Sequence, residues 1–263
     1  MAVNVAALRS QLETALAGRV PTPFAPRPAP LQTTPFPIAE VQALTHGLQR
    51  GGLTEICGPA CSGSATLLLS VLASRTEQAE ACALVDGRDT FDPHSAEAAG
   101  VKLERLLWVR CRQIDQCLRA TDLLLQGGGF GLIALDLSLL PPKTVRYVPL
   151  NVWFRFRRAV ENTSTILLLL DQESNAGTCA SLVLRLGSEP ALWLEPQARR
   201  ASSPANFCAC LLDGSHIHAE VIRSRLPADA GARLARRHSA GPATSFKTKT
   251  QWGYLQEIAA QTK

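Results

Sequence analysis

The stretch from Glu55 to Val71, EICGPACSGSATLLLSV, sets Gly58 and Gly63 five positions apart between a short apolar run and a longer one. That is the layout of a phosphate-binding loop, G-x-x-x-x-G-K-[ST]. In such a loop, backbone N–H groups at a helix start cradle the phosphates, a lysine neutralises their oxygens and a hydroxyl holds magnesium. Here Pro59 and Ser62 lie between the two glycines, Ser64 stands where the lysine belongs, Ala65 where the hydroxyl belongs, and Thr66 comes one residue late. The frame for holding a phosphate is present without the positive charge and metal ligand that phosphoryl transfer relies on.

Three further apolar runs end in an aspartate: ACALVD at Asp86, GLIALD at Asp136 and TILLLLD at Asp171. In an open α/β sheet ligands bind at the carboxyl ends of the strands, so these three carboxylates are expected along one rim beside the Gly58–Gly63 turn. An aspartate after a strand is also a common helix cap, so no single one of them is diagnostic. The eight cysteines include no C-x-x-C pair and several lie in apolar runs, the pattern of buried reduced thiols. Cys208, Cys210, His216 and His218 flank Asp213-Gly214; a two-residue hairpin turn there would send cysteines and histidines to opposite faces, so no metal site is expected.

The elements that must position these groups read as an α/β domain. Strands are expected at 53–57, 81–86, 106–109, 131–136 and 165–170, with helices after most of them, giving a mainly parallel sheet flanked by helices. After Thr178, SLVLRL, ALWLEP and CLLDGSHIHAEVIRSRL read as an antiparallel extension at one edge, turning at Asp213-Gly214. The core is thus expected over residues 38–226. It is preceded by a short helix over residues 1–18 with a Leu8, Leu12, Leu16 stripe, and by a linker over 19–37 carrying seven prolines. Residues 227–263 read as a basic, largely disordered tail, interrupted by Trp252, Tyr254, Leu255 and Ile258.

Of the net charge of +5, the segment from Arg223 onward carries +6, leaving the body near neutral. A basic tail suits a polyanion or an acidic partner, and equally a solubilising tail. Arg236, Arg237, Lys247 and Lys249 would meet phosphates of single-stranded DNA, with Phe246, Trp252 and Tyr254 stacking on bases. Alternatively, Trp252 to Ile258 would dock in a partner's groove. No apolar run approaches the ~20 residues needed to cross a bilayer, and no secretory leader is recognisable, so a cytoplasmic location is expected.

The order of motifs resembles the RecA superfamily. GGLTEICGPACSGSATLLLSVLA matches its strand, loop and helix; ACALVDGRDTFDPHSAEAAGVKLERLLWVR its next strand and D-P-x-x-A-x-x-x-G-V segment; GLIALDLSLLP its magnesium-binding aspartate at Asp136; and TILLLLDQ its sensor glutamine at Gln172. The position at which the family carries its water-orienting glutamate is Arg88, and only ESNAGTC follows Gln172 where recombinases carry a long DNA-binding loop. Within the superfamily, IAEVQALTHGLQRGGLTEICG is similar to the ImuA group, accessory proteins encoded with a Y-family-like polymerase homologue.

That resemblance implies a vestigial nucleotide site, weak or absent ATP and magnesium binding, and a noncatalytic role in damage-induced (SOS) translesion synthesis. The partners it implies are the polymerase homologue, a replicative-type polymerase or RecA itself. By the same resemblance, Leu8, Leu12 and Leu16 join or cap an assembly, or else pack on their own core. The alternative is a DNA-dependent ATPase in which Asp136 and Gln172 still act and Arg88, Lys102 or Lys143 replaces the missing lysine.

Overall fold

The computed structural model describes residues 32–194, 211–225 and 241–249. The expected N-terminal helix and its leucine stripe lie outside them, as do Cys208, Cys210, Arg236, Arg237, Trp252, Tyr254 and Leu255.

The apolar runs at 52–57, 82–86, 132–136 and 166–171 become central strands buried on both sides. In β7 (Ile166–Asp171) all six residues are buried. Side chains alternate across a strand, so Ile166, Leu168 and Leu170 join one apolar layer and Leu167 and Leu169 the other. The remaining strands of the main sheet are β3 (Gly52–Cys57), β4 (Cys82–Asp86), β5 (Leu106–Arg110), β6 (Leu132–Asp136), β8 (Leu182–Leu194), β9 (Leu211–Ser224) and β10 (Ala243–Lys249). A separate two-stranded ribbon pairs β1 (Thr33–Thr34) with β2 (Leu48–Gln49). The eight-stranded sheet runs β10-β9-β8-β3-β7-β6-β4-β5, parallel from β8 to β5 and antiparallel at β9 and β10.

Helices cover both faces of the parallel part. Helix α1 (Ala39–Thr45) and helix α2 (Ser64–Glu77) belong to the first layer, where Leu67, Leu68, Val71 and Leu72 of α2 meet Ile56, Leu84 and Leu168. Short α3 (Pro93–Ala98) and α5 (Pro142–Arg146) follow β4 and β6. On the second face lie α4 (Ile114–Gly127) and α6 (Leu150–Val160). There Trp153 and Phe156 pack edge to face at 6.0 Å among Leu53, Val85 and Leu167. Large side chains of this kind each contribute roughly 1.5–3 kcal/mol by leaving water, so these two layers hold the rim at which the aspartates sit.

Three expectations are corrected by the structure. The Asp213-Gly214 dipeptide is not a hairpin turn: β9 continues through it, with Gly214 paired to Leu192 of β8 and to Lys249 of β10 and the register with β8 shifting at Asp213. Local turn chemistry yields here to the ladders on both sides of Gly214, and the irregularity at Asp213 is what remains of it. The segment expected to be an unstructured tail supplies β10, where Phe246 is 3% exposed and joins the same apolar layer as Val41 of α1. Phe246 is therefore a core residue and is not available to stack on bases. The end of the expected linker is likewise ordered, with Thr33 and Thr34 in β1 and Phe36 buried.

Candidate functional site

Strands β4, β6 and β7 are neighbours in register, with Asp86 opposite Asp136, so the three aspartates do share one rim. Their surroundings give them different work. Asp86 is buried and accepts hydrogen bonds from the N–H groups of Arg88 (3.1 Å), Thr90 (2.8 Å) and Phe91 (2.9 Å) and from Trp108 Nε1 (3.3 Å); it shapes the turn that leads to Asp92. Asp171 is buried beside Glu55, and burial pushes its carboxyl up to about 6 while Asn175 Nδ2 (2.7 Å) and the Gln172 N–H pull it down. Buried Glu55 accepts from Ser174 Oγ and from the N–H groups of Asn175 and Ala176, fixing the loop after β7. Only Asp136 opens into the adjoining cleft; burial raises its pKa, and its partners are the hydroxyl (2.6 Å) and N–H (2.9 Å) of Ser138.

The cleft, about 490 Å³, lies at the end of β3, where the loop 58–63 enters α2. Gly58 donates its N–H to the Asp171 carbonyl, Ser62 to the Pro59 carbonyl, and Gly63 caps α2 at φ 91°. Both glycines are required by packing. A Cβ on Gly58 would lie 2.6 Å from the Leu186 carbonyl oxygen, and one on Gly63 would lie 2.0 Å from Ile217 Cδ1, a side chain of β9 that is itself buried.

Of the residues singled out from the sequence, Gly58, Pro59, Gly63, Ser64, Ala65, Thr66 and Asp136 line the cleft. Ser62 does not; it is wholly buried and its hydroxyl has no partner. Gln172 is turned away, its Nε2 donating to the carbonyls of Ser138 (2.8 Å) and Leu140 (3.3 Å), so it braces the segment after β6. None of the described lining residues is a lysine, arginine or histidine, and Arg88, Lys102 and Lys143 are not among them. The carboxylates of the lining are Asp92 and Asp136. Asp92 caps α3 through the N–H groups of His94 and Ser95, and these bonds, with that from Ser95 Oγ, hold its carboxyl below the usual carboxylate range.

Sequence reasoning missed the apolar walls at Leu68, Leu69, Phe91 and Leu139 and the contribution of Ser215. Ser138 was findable, since a serine two residues after an aspartate favours an Asx-type turn. Ser215 was not, because it enters from β9, whose path the Asp-Gly signal obscured. Among the remaining candidates, Lys247 is exposed on β10 opposite His216, and Lys249 ends that strand. His216 and His218 share a strand face near Glu189 (3.9 and 4.0 Å), and no group of three His, Cys, Asp or Glu suited to a metal occurs among the described residues. Nor is any helix among them long and apolar enough to cross a membrane.

Residues 38–145 match the family described as the RecA N-terminal domain. The chain is 40% identical over 98 residues to Protein RecA of Ectopseudomonas oleovorans, a match spanning 37% of this chain and 28% of that protein. It is 37% identical over 99 residues to Protein RecA of Cereibacter sphaeroides, spanning 37% and 29%. The chain thus spans less than a third of the length of these curated relatives. In fold it is similar to the crystal structure of the RadB recombinase, with a TM-score of 0.54 at 16% identity over 80% of this chain and 93% of that one. The loop, the helix after it and the Asp86 and Asp136 rim thus lie in the segment that matches the RecA N-terminal domain, on a fold similar to that of the RadB recombinase.

Proposed function

We propose that this protein is a catalytically silent RecA-type accessory factor in DNA repair, acting in damage-induced translesion synthesis by holding protein partners. The relatives are named as RecA and as a recombinase, which supports the repair setting; the finer assignment rests on the similarity of residues 38–58 to the ImuA group. One observation carries the noncatalytic reading: the cleft keeps its glycine frame and Asp136, but its described lining has two carboxylates and no cation. Phosphoryl transfer depends on positive charge placed around the transferring group, and anionic walls oppose it. Ala65 also leaves magnesium without its hydroxyl ligand, and Arg88 stands at the glutamate position. The partners on this reading are a Y-family-like polymerase homologue, a replicative-type polymerase or RecA, with single-stranded DNA a further ligand of the basic C-terminal residues.

Titration with ATP and magnesium by calorimetry tests the reading, with Ser64→Lys/Ala65→Thr as the restoring variant. The natural chain is expected to give no heat and the variant to bind. Tight binding by the natural chain, or hydrolysis abolished by Asp136→Ala, overturns the noncatalytic reading in favour of a DNA-dependent ATPase.

A further inference from the structure

We infer that the cleft left by the degenerate loop is a docking groove for the chain's own C-terminal segment, residues 250–263. Ser215, on β9, lines the cleft. Strand β10 runs antiparallel to β9 so that Thr248 lies opposite Ser215, their hydroxyls 2.9 Å apart, and Lys249 lies opposite Gly214. The chain therefore leaves the sheet at the cleft, and the fourteen residues that follow, TQWGYLQEIAAQTK, are tethered there. At about 3.3 Å per extended residue, Trp252 reaches roughly 13 Å and Leu255 roughly 23 Å from Thr248, enough to cross the groove.

The groove and the segment are matched in chemistry. Leu68, Leu69, Phe91 and Leu139 provide apolar walls, and Leu139 is 47% exposed. Asp92 and Asp136 repel a phosphate but do not oppose an uncharged aromatic or aliphatic side chain. The segment offers Trp252, Tyr254, Leu255 and Ile258 and balances Glu257 with Lys263. A short tether supplies an effective concentration of about 1 mM, so an intrinsic Kd of about 0.1 mM fills the groove in roughly nine molecules of ten. The groove then holds the aromatic segment until a partner competes for it. This inference rests on the proposed reading that nucleotide does not occupy the cleft.

Cys61 makes the test direct: it lines the cleft and is exposed, whereas Cys57, Cys82, Cys111, Cys117 and Cys179 are buried. The full chain carrying Leu255→Cys, with Cys208→Ser and Cys210→Ser to remove competing thiols, is oxidised with copper phenanthroline and mapped by mass spectrometry. An intramolecular disulfide between Cys61 and the thiol introduced by Leu255→Cys is expected in more than half of the monomer, falling at least fivefold when Trp252→Ala and Ile258→Ala are added. A disulfide between two copies, or none above the level left by those two added substitutions, overturns the inference. Hydrogen exchange on the natural-cysteine chain gives an independent reading: amides of residues 64–69 and 91–95 should exchange at least threefold faster in Trp252→Ala/Leu255→Ala, and unchanged rates count against docking. Calorimetry on that same variant separates the two claims. ATP binding that emerges only there leaves docking intact and sinks the nucleotide-free reading, while silence together with no disulfide does the reverse.

Discussion

Gly63→Ala is the substitution whose cost the structure lets one work out. Gly63 holds φ 91°, a left-handed conformation that costs a residue with a Cβ about 1–2 kcal/mol. The new methyl would also sit 2.0 Å from Ile217 Cδ1 and 2.8 Å from Cγ1. Ile217 is 2% exposed in the sheet-side layer, so its rotation is limited and overpacking adds about 1–2 kcal/mol. The expected loss is about 3 kcal/mol. Ile217→Ala alone should cost about 2–4 kcal/mol by leaving a cavity. Combined, the two changes should not add: with the isoleucine gone only the backbone cost of Gly63→Ala remains, so a double-mutant cycle should give a coupling of about 1.5 kcal/mol. Urea unfolding at constant m, followed by circular dichroism, measures all four corners. If Gly63→Ala costs the same in both backgrounds, β9 does not support the loop and the account of the glycine frame fails.

Two further outcomes follow from buried groups. Asp171 has a folded pKa of about 6 against an ordinary 3.8, so the folded state binds the extra proton; its contribution is full below about pH 4 and lost as pH rises through 6, a fall of about 3 kcal/mol. Asp171→Asn should flatten stability over that window in pH-dependent denaturation, and an unchanged slope would place the titration elsewhere. Phe246→Ala should cost about 3–4 kcal/mol while exposed Lys247→Ala stays within about 0.5, as read by thermal melting; equal small effects would mean that β10 is not integral to the core.

The parallel sheet was legible because its central strands β3, β4, β6 and β7 are buried on both faces, which forces runs such as ILLLLD that a polar surface never interrupts. The antiparallel edge was not. Strand β10, ATSFKTK, does alternate, with Phe246 inward and Ser245 and Lys247 outward, but it offers one large apolar residue among Ala, Ser and Thr. Its ordering comes from the partner strand and from α1, neither of which is nearby in sequence. Asp213-Gly214 misled for the same reason: a turn propensity worth a fraction of a kcal/mol is overridden when both neighbouring strands pair with Gly214, leaving only a register shift at Asp213. The cleft was half visible. Its floor is one contiguous motif, but Ile217 and Ser215, which wedge and rim it, arrive from about 150 residues downstream.

The separation between what this loop keeps and what it lacks has a physical explanation. Gly58 bonds to the Asp171 carbonyl and has no room for a side chain against Leu186, and Gly63 meets Ile217 in a left-handed turn. Both glycines therefore serve the fold whether or not a phosphate ever arrives. The lysine and hydroxyl positions serve only a ligand: Ala65 and Ser64 both retain access to solvent, and neither is part of the apolar layers. A change at either glycine therefore costs stability, whereas a change at Ser64 or Ala65 disturbs neither apolar layer. The same division runs along the rim. Asp86 and Asp171 are held by backbone and amide bonds that the loops need, whereas Asp136 is held mainly by Ser138 and faces the cleft. A glycine pattern with rim aspartates therefore reports the fold, and the charge lining the cleft decides what can bind there.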